Sequence, residues 1–234
     1  MAEGWLNRLK ARMAHLSRNG SSTHQEIPPP RGATAVTMNN QASHLPESMR
    51  RTVVRLSRGT LSRKRLTDHI KPGVSILFVG INPGLRSAAT GHHFAGYSNR
   101  FWKLLFESKL VSEPLTYQDD WRLPDWGLGL TNIIQRPSAG IDALKPSEYT
   151  VGRMRLMATV TSYRPRIVAL LGVTIYRALL HDTRGQRISL GLQQAQLADV
   201  PVFVLPNPSG RNAHYSYKAM LGAFQALHKE VDSL

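Results

Sequence analysis

Two short segments carry residue types suited to chemistry on a small, hydrogen-bonding ligand: Gly80-Ile81-Asn82-Pro83-Gly84 and Pro206-Asn207-Pro208-Ser209-Gly210. Gly and Pro fix unusual backbone conformations and leave main-chain N–H groups free to face a ligand. Each segment also holds an Asn, whose side chain donates and accepts hydrogen bonds without carrying charge. On residue type alone, two ordinary strand-to-helix turns would use the same residues for geometry. The nearby pair His92-His93 invites acid–base or metal chemistry. No third ligand lies at a sensible sequence spacing, so no metal site is expected. With 0 Cys, thiolate nucleophiles, disulfides and Cys-ligated metal centres are excluded outright.

Both loops must be carried by strands. Val74–Val79 is a continuous apolar run bounded by glycines, as a strand buried on both faces requires. Ser98 is expected to cap a helix with Phe101, Trp102, Leu104 and Leu105 on its apolar face. A weaker strand is expected near Leu128–Ile134, then a helix around Ser147–Ser162 and a strand at Ile167–Leu171. A short helix near Thr174–His181, a strand at Val202–Leu205 and a helix bearing Met220, Leu221, Phe224, Leu227 and Val231 complete the series. Alternating strands and helices predict a three-layer α/β/α sandwich around a short, mainly parallel sheet. In such a fold, ligands bind at the carboxyl ends of the strands, where both loops fall.

The 234 residues suffice for one domain and an appended segment, and 30 Lys and Arg against 15 Asp and Glu give a formal charge of +15. That excess favours a polyanionic partner. Residues 1–70 hold twelve Lys and Arg against four Asp and Glu, together with the triplet Pro28-Pro29-Pro30. We therefore expect residues 1–65 to be a basic, mostly disordered arm suited to a polyanionic partner, and 66–234 to be the folded domain. Within the arm, the spacing of Trp5, Leu6, Leu9, Met13 and Leu16 predicts one apolar face of a short basic amphipathic helix. No apolar run approaches the roughly 18 residues of a membrane span, so a soluble intracellular protein is expected. Arg63-Lys64-Arg65 favours the nucleus, while an Arg-rich, acid-poor start is also the composition of a mitochondrial transit peptide.

The loops become specific through their neighbours. Gly80–Leu85 is followed by Gly91-His92-His93-Phe94, then by Asn99-Arg100-Phe101-Trp102-Lys103, Gly127–Asn132 and Asn207-Pro208-Ser209-Gly210. This ordered series resembles the mismatch-specific uracil/thymine DNA glycosylases of the uracil-DNA glycosylase superfamily, over roughly residues 66–232. The resemblance implies a monofunctional enzyme that flips a uracil, and by extension a thymine or other modified pyrimidine, out of duplex DNA opposite guanine. It would hydrolyse the N-glycosidic bond and leave an abasic site, acting as a monomer in base excision repair without cofactor or metal. Its partner would be double-stranded DNA with a G·U or G·T mismatch.

The resemblance also implies roles. Asn82 would position the attacking water; an amide accepts protons poorly, so the help of about 10²–10⁴-fold from a general base is forgone and a slow enzyme is expected. Phe94 would stack on the extruded base and Asn132 would reach its hydrogen-bonding edge, although some members carry Lys there. Ser87 would lie near the pyrimidine C5 substituent, with Ile81, Gly84 and His93 completing the pocket. Asn207, Pro208, Ser209, Gly210, Arg211 and Asn212 would supply the wedge and phosphate contacts that hold the DNA open. This chain departs from relatives with Leu directly after the glycine, since Arg211 stands there; its planar guanidinium can stack or clamp a phosphate.

Two other functions compete. A non-catalytic DNA- or mismatch-binding protein would keep the fold, but the retained Asn82, Phe94 and second loop count against it. A nucleotide-binding α/β enzyme would need a P-loop lysine or a G-x-G-x-x-G fingerprint, and neither is present.

Overall fold

A computed structural model describes residues 65–180 and 187–234. The expected basic arm lies outside the described residues, apart from Arg65. Strand β1 (Ile76–Gly80) leads into α1 (Leu85–Thr90) and α2 (Phe101–Glu107). A 3₁₀ segment (Tyr117–Trp126) precedes β2 (Leu128–Asn132), and a short 3₁₀ turn (Ile141–Ala143) leads into α3 (Pro146–Tyr163). Then come β3 (Ile167–Leu171), α4 (Val173–Leu179), β4 (Gly191–Leu197), β5 (Val200–Leu205) and α5 (Tyr217–Ser233). No helix among the described residues is long and apolar enough to cross a membrane.

The five strands form one sheet in the order β2-β1-β3-β5-β4, parallel except for the antiparallel edge strand β4. Every residue of β1 and β3 is buried, because helices cover both faces. Successive side chains point to opposite faces. Ile76, Phe78, Ile167, Ala169, Phe203 and Leu205 join Phe101, Leu104, Phe224 and Leu227 from α2 and α5 in one core. Leu77, Val79, Val168, Leu170 and Val204 join Leu156 and Val160 of α3 and Ile175 of α4 in the other. The three-layer α/β/α arrangement is thus as expected.

Two local expectations are corrected. Ser98 does not cap α2: the N-cap position is Arg100, which makes no side-chain cap, and Asn99 Oδ1 just before it accepts the Phe101 N–H at 3.0 Å. Ser98 lies instead against Gly210, where the Arg100 N–H donates to the Pro208 carbonyl at 3.0 Å and ties the start of α2 to the second loop. The last strand also begins two residues earlier than Val202 and pairs with β4, which the sequence reading lacked.

Candidate active site

The carboxyl ends of β1, β2, β3 and β5 surround a cavity of about 370 Å³, within the range of small-ligand sites. The β1 and β2 ends are zipped together beyond the sheet. Ile133 and Ile134 N–H groups donate to Gly80 and Ile81 carbonyls at 2.8 Å each, and the Ser138 N–H donates to the Pro83 carbonyl at 3.1 Å. That pairing fixes Asn82 between them. Its Nδ2 donates to Ser138 Oγ at 2.8 Å, to the Pro83 carbonyl at 3.0 Å and to the Arg136 carbonyl at 3.4 Å. Carbonyls only accept, so they set the amide orientation. Asn82 Oδ1 remains without a partner among the described residues, and Asn82 lines the cavity.

Phe94 stands on the cavity wall with φ +51, in the left-handed region that a bulky residue rarely enters. Such strain costs about 1–3 kcal/mol and persists only where the surroundings over-determine it. Here the N–H groups of the residues on either side are held by side chains. The His93 N–H donates to Asp120 Oδ2 at 2.7 Å, and the Ala95 N–H donates to Ser87 Oγ at 3.1 Å. The Phe94 ring stacks on buried Phe101 at 4.1 Å between centroids. Ser87 is therefore both a lining residue and a backbone anchor.

His93 is 2% exposed. Burial pushes its pKa down, more than the contact with the Thr67 carbonyl and the nearby Asp120 push it up, and the neutral ring is favoured. Nε2 lies 2.9 Å from the Thr67 carbonyl, so the neutral ring carries its proton there. Nδ1 is then a lone-pair acceptor for Asn132 Nδ2 at 3.4 Å. This turns Asn132 Oδ1 toward Gly80, its register partner in the sheet. A Cβ at Gly80 would come within 2.5 Å of that oxygen, so only glycine admits this amide orientation. Arg155 locks the same residue from behind, donating to the Asn132 carbonyl and pairing with Asp68.

Asp120, which sequence reasoning missed, is the hub beneath this wall. It is 1% exposed and meets His92 Nδ1 at 2.9 Å and His69 Nε2 at 3.3 Å, besides the His93 N–H. Burial alone would raise its pKa, but the two imidazoles and the peptide N–H outweigh that and hold it at about 2. Within a run reading Tyr117-Gln118-Asp119-Asp120, nothing distinguishes it from a surface acid at a helix start. His69, His93 and Asp120 place ligand-type atoms within 4.8 Å of one another, a grouping that linear spacing could not reveal. As arranged, His93 Nε2 spends its hydrogen on a carbonyl and Asp120 is taken up by three donors, a closed hydrogen-bond network rather than a set of free lone pairs.

The second loop forms the opposite wall. Asn207 Oδ1 accepts the Ser209 N–H at 2.9 Å, and Asn212 Nδ2 donates to the Asn207 carbonyl at 2.8 Å. Both Asn side chains thus shape the loop. Asn207, Ser209, Gly210 and Arg211 line the cavity, while Pro208 is buried behind it and Asn212 lies outside the wall. Arg211 is exposed, and its side chain reaches beside Gly140 of the β2 loop. Of the residues proposed from sequence, Ile81, Asn82, Gly84, Ser87, His93, Phe94 and Asn132 all line this same cavity. Among the described residues no Asp or Glu lines it, whereas Arg86 and Arg211 do.

A cavity walled by neutral amides, an aromatic ring and two guanidinium groups suits an uncharged, hydrogen-bonding ring attached to a polyanion. Its position at the carboxyl edge of a parallel sheet places it in the α/β class that binds bases and nucleotides there. The family model described as "Uracil DNA glycosylase superfamily" matches residues 67–228, and the chain belongs to that superfamily. Its activity is accordingly of the DNA glycosylase type, hydrolysis of an N-glycosyl bond with DNA as partner.

Proposed function

We propose that the chain is a monofunctional, mismatch-directed glycosylase that excises uracil opposite guanine, and thymine more slowly. The observation that carries this reading is the Asn82 carboxamide of the cavity wall, with Nδ2 committed to Ser138 Oγ and two carbonyls and Oδ1 without a partner among the described residues. Oδ1 would accept a hydrogen from a water molecule and aim its oxygen at the sugar C1′. As the C–O bond forms, the C1′–N bond breaks and its electron pair leaves with the base; the water's second proton passes to solvent. Asn82 cannot take that proton, and among the described residues no carboxylate lines the cavity to do so, which supports a slow reaction dependent on a good leaving base. Phe94 would stack on the base and Asn132 would meet its edge. Arg211, exposed at the tip of the second loop, would fill the vacated stack or hold a phosphate. Mismatch dependence follows from the lower cost of extruding a poorly paired base. We assign the protein to the nucleus, as a monomer.

The test incubates the full chain with duplexes carrying G·U, G·T or matched pairs and scores alkali-labile abasic sites. G·U duplex should yield product well above an Asn82→Ala control. Binding without product above that control would leave a non-catalytic DNA-binding protein instead.

A further inference from the structure

Arg86 lies on α1 with its Nε donating to the Ala95 carbonyl at 2.6 Å and its Cζ 3.5 Å from the centre of the Tyr97 ring. The hydrogen bond and the ring contact together fix the guanidinium plane. Its two terminal nitrogens have no hydrogen-bond partner, and no carboxylate pairs with it, among the described residues. Tyr97 is 89% exposed, so one ring face carries the guanidinium and the other is open. An isolated exposed aromatic is ordinary; an exposed aromatic clamped to an unneutralised cation at the lip of a cavity is a prepared surface. Arg86 lines the cavity and Tyr97 does not, so the pair runs outward from its mouth. The sequence of groups is then cavity, cation, open ring. A nucleic-acid strand presents the same sequence as base, phosphodiester, next base.

We propose that Arg86 and Tyr97 form a nucleotide subsite beside the cavity for the DNA residue adjoining the extruded one. The phosphodiester between the two nucleotides pairs with the terminal nitrogens of Arg86, and the adjoining base stacks on the open face of Tyr97. Stacking tolerates any base but rewards larger ones, so the pair gives a preference for a purine neighbour. The inference rests on the reading of the cavity as the place of an extruded base.

The test titrates the full chain against a duplex with an excision-resistant 2′-fluoro uridine opposite guanine. The nucleotide on each side of it is, in turn, normal or lacking its base. Tyr97→Ala should weaken binding to the intact duplex about tenfold and have little effect where the adjoining base is missing. Arg86→Gln should reduce the salt dependence by about one charge, and an uncharged methylphosphonate at the adjoining linkage should erase that difference. Wild-type affinity for Tyr97→Ala, or equal weakening on both duplexes, overturns the subsite. Excision of ordinary uracil by the wild type is scored separately. Its absence overturns the glycosylase reading and the subsite with it; its presence beside an inert Tyr97→Ala overturns the subsite alone.

Discussion

Asn82 Nδ2 donates to Ser138 Oγ at 2.8 Å, and Ser138 Oγ passes its own hydrogen to the Gly140 carbonyl at 2.6 Å. With the Pro83 and Arg136 carbonyls on the same side, the surroundings of Nδ2 are built for a donor. This relationship bears on an apparent improvement. A carboxylate at position 82 would offer a true proton acceptor, yet one of its oxygens would face two carbonyl oxygens.

Asn82→Asp is therefore expected to hold its introduced carboxyl in the protonated form well above the ordinary carboxylate range, since only that form can donate to the carbonyls. The deprotonated form is the base, so excision should rise with pH, by about tenfold between roughly pH 5 and 7. Single-turnover rates on a G·U duplex across that range check this. A pH-independent rate would mean that the carboxyl has turned away from the carbonyls.

His93 titrates in the opposite sense from a histidine that has gained an acidic partner. Burial lowers its pKa from 6.5, so the unfolded chain binds its proton more readily than the folded one. Stability is then complete above about pH 6.5 and falls as the pH drops below it. Protonation would also set a second N–H against Asn132 Nδ2 and remove the acceptor that orients that amide. Melting temperature should decline from pH 7 to pH 5.5, and less steeply in His93→Gln. Parallel curves for the two proteins would rule this out.

Asp120→Ala is expected to destabilise the fold by roughly 2–4 kcal/mol at neutral pH, since it strips a buried peptide N–H and two imidazoles of their acceptor. The wild-type carboxyl titrates at about 2 when folded, against about 3.9 when unfolded. Its contribution is thus fully present above about pH 4 and is lost as the pH falls toward 2. Urea unfolding of both proteins at pH 7 and pH 3 should show the difference shrinking. Because Asp120 holds the His93 N–H just before the strained Phe94, excision should fall by more than the loss of folded protein explains.

The sequence made legible what burial and local pattern dictate. β3 reads directly, because a strand covered on both faces must be apolar throughout, and α5 reads from its apolar stripe. β4 did not: Gln193, Gln194 and Gln196 occupy an edge strand paired on one side only, and their alternation resembles a polar loop. The cavity wall was legible as far as its contiguous motifs reached, in Asn82, Phe94 and the second loop. Asp120, Ser138 and His69 lie 38, 56 and 13 residues from Asn82 and act through hydrogen bonds that only the assembled sheet creates. Arg86 and Tyr97 belong to no motif, and only their contact distinguishes them.

A Cβ at Gly210 would overlap the Ser98 side chain and come within 2.7 Å of its carbonyl oxygen. Its φ is not positive, so glycine is required here for close approach and not for conformation. Gly210→Ala must push the second loop off the start of α2 and strain the hydrogen bond from the Arg100 N–H to the Pro208 carbonyl. The loop lies at the cavity edge and outside both cores, so stability should fall by only about 1 kcal/mol. The displaced Ser209 and Arg211 should cost about tenfold or more in affinity for a G·U duplex. Adding Ser98→Gly removes the side-chain overlap but leaves the carbonyl contact, so the double variant should recover part of the loss. Affinity of the single and double variants, measured beside their melting temperatures, decides it: a Gly210→Ala protein that binds duplex normally would show that the loop engages DNA without resting on Ser98.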